Sequence, residues 1–127
     1  MKIIKPNYKI DETIQTMVGV DSFLEGTINT ESSLRFEGNF NGEINSQGVV
    51  FIGYKSVVKA NIHALRLVVA GELLGNVQVV DSIDIISTGK VIGDIVGKKL
   101  IIDEGAVFQG KVNMEVIPLQ ERKKIEL

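Results

Sequence analysis

A pattern that recurs six times limits this chain to very few folds. Each copy has a small residue with a large apolar residue two positions before it and another two positions after it. The small residues, separated by 16, 18, 15, 18 and 17 positions, are Gly26, Gly42, Ala60, Gly75, Gly93 and Gly110. The residue directly after the small one is mostly polar, so the alternation has the period of a β-strand. Such a repeat is typical of solenoids, in which each unit stacks on the next.

The alignment on the small residue predicts which side chains face inward. Two positions before it lie Leu24, Phe40, Val58, Leu73, Val91 and Phe108. Two positions after it lie Ile28, Ile44, Ile62, Val77, Ile95 and Val112. An earlier strand supplies the inward pairs Leu34/Phe36, Val50/Ile52, Leu67/Val69, Ile83/Ile85 and Leu100/Ile102. A further small residue, four positions after the first one, marks a third and weaker face: Thr30, Ser46, Ala64, Val79 and Gly97.

These repeats predict an all-β fold, namely a single parallel β-helix (a solenoid) of about six turns over residues 17–115. Residues 1–16 and 116–127 are expected to be short flexible arms, of which the C-terminal one is highly charged. A β-sandwich with glycine turns is the alternative. It is less favoured, because a sandwich does not require the same inward positions in consecutive units.

A β-helix has two open ends, each with a layer of apolar side chains and a row of unpaired backbone groups. Neither flank of this chain has the pattern of a capping helix, so the ends are expected to form contacts between molecules. The predicted polymer contacts are Val18, Val20, Phe23 and Leu24 in the first turn and Val107, Phe108, Val112 and Met114 in the last. In the alternative, the C-terminal arm folds back through Val116, Ile117 and Leu119 and covers Phe108 as ordinary core.

The outward positions of the earlier strand form a second candidate surface. They are Arg35, Phe51, Val68, Asp84 and Ile101, with the apolar residues Leu74, Ile86 and Ile92 nearby. This set is a candidate lateral interaction strip. Scattered exposed hydrophobic residues are common on soluble proteins, however, and are the simpler interpretation.

Composition argues against several classes of protein. The net charge of −2 gives no general attraction for nucleic acid, and the absence of cysteine excludes disulfides and agrees with a cytoplasmic location. No apolar run approaches the roughly 20 residues of a membrane span. The N-terminal segment MKIIKPNYKI also lacks the apolar centre of a signal peptide.

Candidates for catalysis or metal binding are equally sparse. His63 is the sole histidine, so a three-histidine zinc site cannot form within one chain, and its place after the inward Ile62 predicts an exposed imidazole. Ser87 and Thr88 have no base near them in the repeat, and Asp103 and Glu104 are expected to be solvated in a corner. We therefore expect no enzyme activity, no cofactor and no metal. A hexapeptide-type acyltransferase or carbonic anhydrase is disfavoured as well. The turns of such enzymes are multiples of six residues, whereas steps of 15, 16 and 17 occur in this chain.

Three segments carry a family resemblance: FIGYKSVVKANI (51–62), KVIGDI (90–95) and LIIDEGAVFQGKV (100–112). With the six repeats between Val18 and Glu115, they make the chain resemble the bactofilins, which are bacterial polymer-forming cytoskeletal proteins. Ala60 and Lys55 depart from the glycines that the family has most often at those places. The resemblance implies a right-handed β-helix that assembles end to end, without nucleotide, into filaments lacking polarity. The absence of a GxxxxGK[ST] phosphate loop agrees with assembly without nucleotide.

The resemblance also implies a cellular role and partners. Bactofilins support cell shape or position cell-wall-modifying enzymes and other envelope proteins, and many attach to the inner face of the cytoplasmic membrane through the N-terminal arm. In this chain the expected membrane contacts are Met1, Lys2, Ile3, Ile4 and Lys5. They give little affinity per molecule, but a filament multiplies them. Two alternatives stay open: a soluble arm without membrane contact, and a non-polymerising solenoid that binds a ligand along one side.

Overall fold

The computed structural model describes residues 16–114, and every regular element in this range is a β-strand. The strands are β1 (Thr16–Val18), β2 (Phe23–Thr30), β3 (Leu34–Phe36), β4 (Asn39–Ser46), β5 (Val49–Ile52), β6 (Val57–Ala64), β7 (Arg66–Val69), β8 (Glu72–Leu74), β9 (Val77–Val79), β10 (Ser82–Ile85), β11 (Lys90–Ile92), β12 (Ile95–Gly97), β13 (Lys99–Ile102), β14 (Val107–Gln109) and β15 (Val112–Met114).

The strands form two parallel sheets that wrap around one core. The six-stranded sheet contains β1, β3, β5, β7, β10 and β13, and the nine-stranded sheet contains the other strands. Each strand pairs with its equivalent one turn along the chain, and every pairing among the described strands is parallel. The result is a parallel β-solenoid of about six turns, which confirms the predicted fold class. A β-sandwich is excluded, because its strands are antiparallel.

The core is a continuous stack of the predicted inward side chains. Leu24 lies opposite Phe40, and Phe40 lies opposite Val58, as the alignment of the repeats predicts. Between the two ends of the solenoid these side chains are excluded from water; examples are Ile44, Val58, Ile62, Leu73, Ile83, Ile85 and Val91, each 0% exposed. Each apolar side chain is therefore buried by the turns before and after its own.

The small residue of the last three repeats lies at a bend between strands, whereas Gly26, Gly42 and Ala60 lie within continuous strands. The glycines of the repeat have φ angles between +139° and +147°, which residues with a side chain rarely adopt: Gly26, Gly42, Gly75, Gly93 and Gly110. From the fourth turn onward the strand stops at this glycine, so β9, β12 and β15 form a separate third face, as predicted. Ala60 has no positive φ angle and lies inside the continuous strand β6.

Side-chain oxygens beside the bends link successive turns of the second half of the solenoid. The Oδ1 of Asn61 accepts a hydrogen bond from the backbone N–H of Asn76 at 3.1 Å. The Oδ1 of Asn76 accepts one from Asp94 N–H at 3.2 Å, and the Oδ1 of Asp94 accepts one from Lys111 N–H at 3.1 Å. These bonds satisfy backbone donors at the bend, which explains why Asn or Asp follows the bend residue here.

Candidate assembly surfaces

The C-terminal end of the solenoid exposes its own core. The inward side chains of the last turn, which we call the C-terminal tip, are Leu100, Ile102, Phe108, Val112 and Met114. Their counterparts one turn earlier are buried, with Ile85 and Val91 at 0% exposure. In the tip, Ile102 is 45% and Val112 is 39% exposed, and Phe108 is half-buried against the core. Within residues 16–114, the tip is thus an apolar core layer with no following turn stacked on it.

The N-terminal end has a smaller apolar layer with more hydroxyl groups. The inward side chains of the first turn, which we call the N-terminal tip, are Thr16, Val18, Leu24, Ile28 and Thr30. Leu24 is 46% exposed and Ile28 is half-buried, but Val18 is only 5% exposed. The two ends therefore present different chemistry, with the larger apolar area at the C-terminal tip.

The eight residues predicted as polymer contacts fall into three groups. Leu24, Phe108, Val112 and Met114 lie in the tip layers. Val18 also belongs to a tip layer but is buried, and Val20, Phe23 and Val107 are exposed on the outer rim. Phe23, for example, lies opposite Asn39 on the outside of the sheet.

Three apolar tip residues are not among the predicted contacts, namely Ile28, Leu100 and Ile102. All three stood in the predicted inward positions, so applying the repeat alignment to the two end turns identifies them. Phe23 and Val107 lie on the rim because the alternation of side chains along a strand directs them away from the core.

Each tip also carries strand edges with one partner instead of two. Among the described strands, β1 and β2 are unpaired on one side at the N-terminal end, and β13, β14 and β15 at the C-terminal end. Unpaired backbone N–H and C=O groups at such edges can bond to strands of another molecule. The tips thus offer apolar contact and strand pairing together.

The outward face of the six-stranded sheet combines apolar and charged side chains. Its central positions, one per turn, are Met17, Arg35, Phe51, Val68, Asp84 and Ile101. The guanidinium of Arg35 lies 4.2 Å from the centre of the Phe51 ring, and its Nε donates to the Oε2 of Glu37 at 2.5 Å. The Oδ1 of Asp84 is buried and has no hydrogen-bond partner among residues 16–114.

A groove runs along the solenoid beside the third face. Amide side chains such as Asn45 and Gln78 line one wall, and Leu65, Val80 and Lys98 line the other. His63 lies on this groove with an exposed side chain, so the expectation of a surface imidazole is confirmed. Among the described residues no three His, Cys, Asp or Glu side chains are close enough together to hold a metal ion.

The other residues considered for chemistry lie in corners between strands. The Oγ1 of Thr88 donates a hydrogen bond to the carbonyl oxygen of Ala70 at 2.7 Å, so its hydroxyl links two turns. Ser87, Asp103 and Glu104 are exposed. The corners thus hold a hydrogen bond between turns, made by Thr88, and carboxylates that face solvent.

The predicted membrane contacts, residues 1–5, lie outside the described residues, as do Val116, Ile117 and Leu119 of the C-terminal arm. No segment of residues 16–114 forms a helix with the length and hydropathy of a membrane span.

Comparison with known proteins agrees with these features. A family model described as "Bactofilin: Polymer-forming cytoskeletal" matches residues 16–113. Bactofilin BacP of Myxococcus xanthus (strain DK1622) is 30% identical over 99 residues, which are 78% of this chain but only 41% of BacP. Bactofilin BacO of the same organism is 28% identical over 101 residues, which are 80% of either chain. No solved structure matches.

The solenoid fold and the family match define a polymer-forming cytoskeletal protein. Such a protein associates with copies of itself and is not an enzyme, as the sequence predicts. The chain belongs to the bactofilin family.

Proposed function

We propose that this protein forms filaments by contact of its tips, end to end and without nucleotide. The observation that carries the proposal is the C-terminal tip, where an apolar core layer has no following turn among the described residues. Burying its five apolar side chains against another tip removes them from water, which is favourable in proportion to the apolar area. Assembly of this kind needs no bound nucleotide, because the contact uses surfaces that are already formed.

The proposed filament lacks polarity, with C-terminal tip against C-terminal tip and N-terminal tip against N-terminal tip. Each junction is then isologous, that is, the same surface on both molecules related by a twofold axis. This arrangement matches like with like: the mainly apolar tip with Phe108 meets its own copy, and the tip with Thr16 and Thr30 meets its own copy. The family resemblance supports the same arrangement.

Electron microscopy of the purified full-length chain tests the proposal. Filaments are expected in buffer without nucleotide, and addition of ATP or GTP should leave their number and length unchanged. Monodisperse single particles at every concentration would contradict the proposal and favour a solenoid that binds a ligand in its side groove. A requirement for nucleotide would contradict the assembly mechanism alone.

We further propose that the filaments lie at the inner face of the cytoplasmic membrane and support cell shape or position envelope proteins, including cell-wall-modifying enzymes. The support is the family resemblance together with the apolar and basic residues Met1, Lys2, Ile3, Ile4 and Lys5. Many weak anchors on one filament act together, so the filament binds where a single molecule does not.

A further inference from the structure

We propose that the solenoids also pair side by side, in opposite directions, through the outward face of the six-stranded sheet. We call this surface the sheet face; its central residues are Met17, Arg35, Phe51, Val68, Asp84 and Ile101. The occupant of the surface is a second copy of this chain. The inference rests on the proposed filament, because it concerns how filaments join laterally.

The residues of the sheet face, read from the first turn to the last, are complementary to the same residues read from the last turn to the first. When two copies face each other in opposite directions with their third and fourth turns aligned, Arg35 meets Asp84 of the second copy. In the same register, Phe51 meets Val68 and Met17 meets Ile101. Each of these three pairings occurs twice between the two copies, so the interface contains two ion pairs and four apolar contacts.

Asp84 supplies the strongest local argument for a partner. Its Oδ1 is buried beside Val68 and Ile101, its neighbours on the adjacent strands, and has no donor among residues 16–114. Asp84 as a whole is half-buried, so its carboxylate loses part of its hydration without gaining a donor at Oδ1, which is unfavourable. A guanidinium from outside the sheet would supply an opposite charge, and donors to the part of the carboxylate that solvent still reaches.

Arg35 is placed to be that guanidinium. Its hydrogen bond to Glu37 uses Nε and does not occupy the two terminal nitrogens, and its contact with the Phe51 ring restrains the group. A guanidinium held in this way loses little side-chain entropy when it binds a second carboxylate. The bond to Glu37 and a bond to Asp84 of a second copy are therefore compatible.

Other lateral arrangements are less favourable. Two copies aligned in the same direction place Arg35 on Arg35 and Asp84 on Asp84, so like charges repel. A shift of one turn in the opposite-direction arrangement places Arg35 on Val68 or Ile101 and leaves both charges desolvated without a partner. The charges thus select both the direction and the register of pairing.

The size of the sheet face explains why pairing should appear only in filaments. Six strands about 4.8 Å apart span roughly 24 Å, and strands of three or four residues are roughly 10–13 Å long. The resulting area, about 300 Å² per copy, is well below the roughly 800 Å² per partner of a stable complex. Two single molecules are therefore expected to separate. Filaments repeat the contact along their length, so their pairing is strong.

Complementary charge reversal tests the inference. Arg35→Asp makes both charged positions acidic, and Asp84→Arg makes both basic, so filaments of either variant alone should repel at this face. A mixture of the two variants should pair, because every acidic position then meets a basic one. The double variant with both changes should pair with itself. His63→Asp, a charge change on another side of the solenoid, is the matched control.

The readout is the number of protofilaments per filament in electron micrographs, with circular dichroism to show that each variant folds. We expect wild type, control, double variant and mixture to form paired or bundled filaments. The bundled fraction should fall at least about tenfold in each single variant. Single-width wild-type filaments, single variants that still bundle, or a mixture that does not recover would each overturn lateral pairing while leaving end-to-end assembly intact. Absence of filaments in every sample would overturn both proposals.

Discussion

The carbonyl oxygen of Gly75 occupies the space that a Cβ atom on Gly93 would need. The same relationship joins Gly42 to Gly26, Gly75 to Ala60 and Gly110 to Gly93. Glycine is thus required at these positions for two reasons: the φ angle is positive, and the backbone of the preceding turn leaves no room for a Cβ atom. Gly26 differs, because it has a similar φ angle but no atom of residues 16–114 within 4 Å of its Cβ position.

Alanine substitution at two of these glycines should separate the two requirements. Gly26→Ala introduces only an unfavourable φ angle, which costs about 1–3 kcal/mol. Gly93→Ala adds a clash with the backbone of the preceding turn, so its loss of stability should be clearly larger. Chemical denaturation followed by circular dichroism measures both. Equal losses would show that close packing of the bends contributes nothing beyond the φ angle.

The hydrogen bonds that the Oδ1 atoms of Asn61, Asn76 and Asp94 accept, which we call the side-chain ladder, should contribute a smaller but measurable amount to the free energy of unfolding. Asn76→Ala removes the acceptor for Asp94 N–H, so the free energy of unfolding should fall by about 1 kcal/mol. Gln78→Ala, an exposed residue on the adjacent third face, is the control and should change stability by less than about 0.5 kcal/mol. If the two substitutions have the same effect, the ladder is not a source of stability.

The fold could be predicted because its determinants are local and repeated. Inward residues such as Ile44 and Ile62 follow from an alternation of period two, and their common spacing from the small residue places them in register. The bends could not be predicted in the same way. Gly26 and Ala60 occupy equivalent positions in the repeat, yet only the glycine adopts a positive φ angle, because the Cβ of alanine disfavours it, and the period-two alternation does not report backbone angles.

For the candidate surfaces too, some features could be predicted from the sequence and others could not. Phe108 and Leu24 belong to the tips because the alternation that defines the core also defines its end layers. Val18 is nevertheless buried while Leu24 is half-exposed, a difference that the alternation does not predict. The outward positions of Arg35 and Asp84 also follow from the alternation, but the buried Oδ1 of Asp84 does not, because its burial depends on how the neighbouring strands pack.

A charge in the middle of the core should prevent folding. Ile62 is 0% exposed and stacks between Ile44 and Val77, so Ile62→Lys buries an unpaired ammonium group and unstacks two turns. His63→Lys, one position along with an exposed side chain, should keep the native circular dichroism spectrum. A folded Ile62→Lys variant would contradict the assigned core.

The N-terminal arm can be tested for membrane contact independently of assembly. Removal of residues 1–10 should keep filaments but reduce their co-sedimentation with anionic liposomes, because the apolar and basic anchors are lost. Replacing Lys2 and Lys5 by glutamine in the full-length chain should give an intermediate loss. Unchanged co-sedimentation of the shortened filaments would reject the anchor.

The C-terminal tip gives the sharpest test of how the filament is built. Phe108→Arg should keep the fold, because the side chain is already half-buried at an open end, but it should block the junction, since two arginines would meet in an apolar contact. Gln109→Arg adds the same charge to the neighbouring outward side chain and should still polymerise. Persistent Phe108→Arg filaments would place the junction elsewhere.

The size of the Phe108→Arg particle then distinguishes two kinds of filament. If like tips meet, the N-terminal junction is intact and the variant should sediment as a dimer joined through Leu24 and its neighbours. If unlike tips meet, one blocked tip blocks the only type of junction and the variant should be a monomer. Adding Leu24→Arg should convert the dimer to a monomer. A monomer before that second substitution would contradict the proposed lack of polarity.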